Sequence, residues 1–164
     1  MELTVNVKLD MSGFKAVEKA CEALSSSKIQ SGVLEADSET LAAAYLNEFG
    51  GETEYTDGKY AGEKVLVPPR SFVRAAAEIE APNAFRKAKE ILSDGLTKEN
   101  ANKAIISVAE DISKAQRDAL ENNGEKIPNW VKHNDPRTIE TKGFDQPLWS
   151  RRGETFPISY EVTK

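Results

Sequence analysis

The chain has 164 residues, of which 39% are hydrophobic and 30% charged, with a formal net charge of −5 and a mean hydropathy of −0.53. That length suits one domain with a proper core, and the apolar content is too high for a disordered chain. A membrane span, a secretory signal and a general nucleic-acid binder are not expected: no apolar run nears about 18 residues, the start MELTVNVKLD lacks basic-then-apolar order, and the charge is acidic. With one cysteine, Cys21, and one histidine, His133, a single chain can build neither an internal disulfide nor a Cys/His metal cluster.

Leu3, Val5, Val7 and Leu9 alternate with polar residues, which predicts a strand. Asp10 or Ser12 can then cap a helix whose apolar face comprises Phe14, Val17, Cys21 and Leu24. Cys21 on that face reads as a small buried hydrophobe. KIQSGVLEA predicts a short second strand. The next helix, SETLAAAYLNEF, is capped by Asp37 or Ser38 and closed by Gly50 and Gly51. GETEYTDGKYAGEKVLVPP, with its Asp57-Gly58 turn, is a hairpin or a mobile loop.

Pro68 and Pro69 precede a helix expected from Arg70 to Ile91 or Leu92, with Pro82 kinking or splitting it and Gly95 closing it. Thr97 caps the clearest helix, in which Ala101, Ile105, Val108, Ile112, Ala115 and Ala119 step by three or four. It should end near Asn123 and Gly124.

Residues 1–125 thus form an α+β body, and residues 126–164 an extended arm of the same domain. The fold class is a small, mostly antiparallel sheet with two to three longer helices packed on it, the arm returning as a final strand, ISYEV, able to join the sheet of the first residues. The arm holds Pro128, Pro136, Pro147 and Pro157, four of the seven prolines, so it should run extended or in turns. Its anchors Trp130, Phe144, Trp149 and Phe156 either fold back on their own domain or lie on another subunit. From Lys126 to Arg152 the formal charge is +3, leaving −8 for the rest of the chain in the total of −5. A basic arm on an acidic body favours docking one copy's arm onto another's body, with the free arm mobile until then.

The sequence carries no phosphate loop, dinucleotide fingerprint, HExxH or nucleophile elbow. His133 has neither a second ligand nor a nucleophile beside it in sequence, and Arg151 and Arg152 are a weak signal for phosphate contact. A small cytoplasmic hydrolase using unrecognised acidic residues is the alternative to a structural protein, and it leaves the arm unexplained.

Three stretches in this order, AYLNEFGG, VPPRSFVR and NDPRTIETKGFDQPLWSRRGETFPISYEV, resemble the tail-completion or head-tail joining proteins of long-tailed bacteriophages, the minor tail protein Z type and Mu-type virion morphogenesis proteins among them. Asn47, Glu48, Phe49 and Gly50 match the first motif, and Val67, Pro68, Pro69, Arg70 and Phe72 the second. Asn134, Pro136, Thr138, Ile139, Lys142, Gly143, Pro147, Leu148, Ile158, Tyr160, Glu161 and Val162 match the third. The departure is WSRRGETF, where the family has an Asp-Thr-Gly stretch. The resemblance implies no enzymatic activity and no cofactor. It implies a neck protein, assembled in the host cytoplasm into the virion as a ring of copies, six to match the tail, around the DNA channel. Head-side connector and tail-tube or tail-terminator proteins would be its neighbours, and DNA would pass without specific binding. The surface expected to meet a neighbour is Trp130, Phe144, Leu148, Trp149, Arg151, Arg152 and Phe156.

Overall fold

A computed structural model describes residues 11–150 and 152–164; the expected strand Leu3–Leu9 and Arg151 lie outside the described residues. The elements run α1 (Ser12–Ser26), β1 (Lys28–Gly32), α2 (Ser38–Phe49), β2 (Gly51–Glu54), a 3-10 turn (Gly58–Tyr60), β3 (Lys64–Val67), α3 (Arg74–Ser93), α4 (Lys98–Glu121), α5 (Pro136–Lys142) and β4 (Ser159–Thr163). The fold is α+β: two antiparallel sheets of two strands each, β1 with β4 and β2 with β3, accompany the helices.

Helix α4 is the spine. Thr97 accepts from the Asn100 amide as its N-cap, and the small residues on its inner face let other elements approach closely. Ala104 and Val108 meet Ala84 and Ala88 of α3, Ala101 meets Ala20 and Ala23 of α1, and Ala119 and Leu120 join a third cluster with Phe72, Ala76, Trp130 and Leu148. Two buried polar residues on the same helix are paired. Ser113 bonds Ser31 of β1 at 2.8 Å, while Gln116 accepts from Ser31 at 2.7 Å and donates to the Val73 carbonyl at 3.1 Å. This satisfied network fixes β1 against α4.

The final strand pairs with β1, residue Lys28 opposite Thr163 through Gly32 opposite Ser159. The Asp57-Gly58 stretch is the hairpin of the two sequence alternatives, with Gly51 opposite Val67. Gly50 has φ 74, and a Cβ there would stand 2.9 Å from the Pro69 ring, so glycine is required where α2 meets the Pro-Pro segment.

Two expectations are corrected, and one pair of alternatives is narrowed. The VPPR helix begins at Arg74, four residues later than expected, because Arg70 turns back onto α2: its amide donates to the Asn47 carbonyl at 2.6 Å. Of the two alternatives at Pro82, splitting is excluded, since α3 runs unbroken to Ser93. Pro82 lies on the exposed face, so water can reach the carbonyl one turn back that its missing N–H leaves unpaired, while Ala84 and Ala88 keep the inner face intact. Cys21 is exposed and not buried, as are Phe14 and Val17, because α1 meets α4 through the smaller Ala20 and Ala23, which allow the closest approach.

Candidate functional site

The arm folds onto the body of its own chain. After α4 the backbone turns through Asn123 (φ 48) and Gly124 (φ 64), and the Trp130 ring packs on Gly124 so closely that a Cβ there would lie 1.9 Å from it. Trp130 donates its indole N–H to Asn123 Oδ1 at 3.0 Å and is buried. Past the tryptophan, Arg70 clamps the chain: its Nε donates to the Val131 carbonyl at 2.9 Å and its Nη2 to the His133 carbonyl at 2.8 Å, while Nη1 reaches Asn47 Oδ1 at 3.5 Å. Only 3% of Arg70 is exposed. Burial disfavours its charge, and the field of Asp145 partly restores it.

Asp145 ties the next residues, accepting from the Asn134 amide at 2.8 Å and bonding His133 Nδ1 at 2.6 Å. Asp135 then caps a short helix, α5, with Pro136 in its first turn and Gly143 (φ 85) closing it, so the arm is not wholly extended. A proline at a helix start costs no hydrogen bond, because the first amides are unpaired anyway. Helix α5 docks on the β2–β3 hairpin. Arg137 bonds both Asp135 and Glu63 at 3.0 Å, the Tyr55 hydroxyl bonds Thr138 at 2.8 Å, and Glu140 receives Lys59 and the Tyr60 hydroxyl. These partners hold Arg137 more basic than usual, with Asp135 the largest cause.

Beyond α5, Pro147 and Leu148 enter the core, and Phe156 stacks on Phe72 with centroids 5.4 Å apart. Trp149 is half-buried and its indole N–H reaches the Leu120 carbonyl at 3.4 Å. Phe144 is half-buried beneath the Lys142 ammonium, and Arg152 is exposed. Of the residues expected to meet a neighbour, Trp130, Leu148 and Phe156 therefore pack into their own domain, Trp149 and Phe144 are partly covered, and Arg152 faces solvent. Proline punctuation does not leave the arm loose, because side chains from the body satisfy its backbone.

Sequence reasoning passed over Arg70 and Glu48 as site residues. Glu48, 6% exposed, accepts from the Ser71 hydroxyl at 2.6 Å and from the amides of Val73 and Arg74 at 2.9 and 3.1 Å, so it caps α3 from α2. Charged residues usually lie in solvent; here the signal was their place beside glycines and prolines in the first two motifs.

Between α2, β3, α5 and residues 148–150 and 154–157 lies an open cleft of about 670 Å³. Arg70 and Lys142 contribute positive charge, Glu35, Asp37, Glu39 and Glu154 negative charge, and Leu148 and Trp149 an apolar wall. Lys142 is less basic than usual because of burial and then of Arg70. Among the described residues no group of three or more His, Cys, Asp or Glu side chains could hold a metal ion, and no helix is long and apolar enough to cross a membrane.

Acid should loosen the arm. The Asp135 carboxyl is held below its usual value chiefly by Arg137, and Asp145 chiefly by the Asn134 amide. A carboxylate with a lowered folded-state pKa adds stability above its unfolded value, near pH 4, and loses it as pH falls through the folded value. Tryptophan fluorescence should therefore report release of Trp130 and Trp149 below about pH 4, with no such change between pH 5 and 8.

No family model, curated protein or solved structure matches this chain.

Proposed function

We propose that the protein is a structural component of the neck of a long-tailed bacteriophage, completing the tail end and joining it to the head as a ring of copies around the DNA channel. The observation that carries this reading is convergence. Three stretches that together resemble the neck family are joined by contacts: Asn47 and Glu48 of the first hold Arg70, Ser71 and the start of α3 in the second, and Phe72 of the second stacks on Phe156 of the third. Arg70 in turn holds the carbonyls of Val131 and His133, which lead into the third. A pattern whose members form one physical cluster has a structural reason to recur as a set.

The surface suits assembly. Leu41, Tyr45 and Phe49 form an exposed stripe along α2, with Tyr45 68% exposed, and Phe14 and Phe85 are exposed on α1 and α3. Apolar area of this kind is covered when copies join head to tail, and such a contact makes a ring when its rotation closes on itself. The neighbours along the neck would be a head-side connector and tail-tube or tail-terminator proteins, and the protein would act in the virion after assembly in the host cytoplasm. Native mass spectrometry tests the reading: a closed oligomer, six copies to match the tail, is expected, and a monomer at every concentration, alone and with purified tails, would overturn it.

A wall that lets DNA slide must not hold it. With an excess of acidic over basic side chains, the protein should bind duplex DNA no better than weakly at physiological salt in a filter or anisotropy assay. Tight, salt-sensitive binding would instead place Arg152 and its neighbours on DNA.

A further inference from the structure

Among the described residues, two buried side-chain atoms have no hydrogen-bond partner, Asn134 Nδ2 and Thr155 Oγ1. Both residues line the same open cleft. Buried polar groups are almost always paired, and an unpaired one destabilises the fold, so two on residues that line one cavity point to a ligand that supplies what they lack.

The chemistry at that wall is one of donors. Asn134 offers its amide N–H groups and Thr155 a hydroxyl. Arg70 spends one N–H of Nη1 on Asn47 and one of Nη2 on His133, which leaves a further N–H on each nitrogen. The Lys142 ammonium makes one bond, to the Gln146 carbonyl at 2.8 Å, and keeps donors to spare. Burial weakens the charged form of both cations, Arg70 also opposes Lys142, and Asp145 offsets this only in part, so a further anion beside them would relieve both. A group that only accepts, and carries negative charge, completes the set: a carboxylate.

The rest of the cleft says what carries the carboxylate. Glu35, Asp37, Glu39 and Glu154 line it too, and they repel a phosphate or a nucleic-acid backbone more than a single carboxylate on a neutral scaffold. Val65, Leu66 and Val67 form another wall. Among the described residues strand β3 has a partner, β2, on one side only, and its other edge can receive an extended chain; Leu66 on that strand is 75% exposed. The geometry points to a binding site for an extended peptide segment of a partner protein, its backbone along β3 and one Asp or Glu side chain against Asn134, Arg70 and Lys142. This goes beyond the neck reading and stands whether or not the protein forms a ring.

The test titrates the isotope-labelled full chain with the blocked peptide acetyl-Val-Glu-Val-Thr-Val-amide, with its Gln counterpart, and with inorganic phosphate. The Glu peptide should bind saturably, shift the amides of Leu66, Asn134 and Thr155, and bind at least about tenfold more tightly than the Gln peptide. Asn134→Leu and the near-isosteric Thr155→Val should each weaken it by about tenfold while raising the melting temperature of the free protein, because each removes an unpaired buried group. The proposal is overturned by no saturable binding, by equal binding of the two peptides, by phosphate binding more tightly than the Glu peptide, or by two folded variants that bind as wild type does.

Discussion

Gly124→Ala should be among the most damaging single substitutions in the chain, lowering stability by about 4 kcal/mol in chemical denaturation. Two causes add. At φ 64 an L side chain is strained, by about 1 kcal/mol. The new Cβ would also lie 1.9 Å from Trp130 Cδ2 and 2.4 Å from its neighbours in the ring. The indole is a rigid body and cannot yield at one edge, so it must leave its site, losing burial that for a large aromatic is worth about 3 kcal/mol or more. Its bond to Asn123 is lost with it. Trp130→Leu should relieve the clash, so the double variant should be more stable than Gly124→Ala alone. A loss below about 1 kcal/mol in Gly124→Ala would mean that Trp130 does not sit on the turn.

Glu48→Ala should cost about 3 kcal/mol and fray the start of α3. Its carboxylate takes three donors, and hydrogen bonds to charged groups are worth about 1.5 kcal/mol or more each before coupling among them is discounted. Val73 has no side-chain cap of its own, so its amide and that of Arg74 depend on Glu48. Glu48→Gln should fall between, since it keeps one acceptor oxygen but turns an amino group toward the donors. Denaturant titration with hydrogen exchange at Arg74–Ala77 checks both, and equal stability of all three proteins would remove Glu48 from its role as the cap.

The sequence made some elements plain and hid others for identifiable reasons. Helix α4 was legible because its apolar residues keep one spacing behind a Thr cap over 24 residues. Helix α1 was legible as a helix but not in its buried face: Phe14, Val17 and Cys21 carry the hydrophobicity, whereas the contact with α4 selects small residues. Helix α5 was written in Asp135-Pro136 and Gly143, a cap, a first-turn proline and a closing glycine, yet prolines counted over a long window read as breaks. The clamp by Arg70 was the least legible feature. Its acceptors are backbone carbonyls some sixty residues away, and carbonyls leave no mark on a sequence. The two unpaired atoms of the cleft were hidden for the same reason, since Asn134 and Thr155 are ordinary polar residues until the fold encloses them.

The arm's attachment to its own body is read most directly by hydrogen exchange on the dilute, free protein. The amides of Gly124, Ile127, Asn134, Arg137, Ile139 and Gly143 are bonded within the chain, and they should exchange slowly, at rates set by opening of the domain. Arg70→Ala should raise the rate at Asn134 far more than at Ala104 in the middle of α4. Fast exchange across residues 126–156 in the wild-type monomer, slowed only when a second copy or the tail is present, would contradict the account and make the arm a part that folds on assembly.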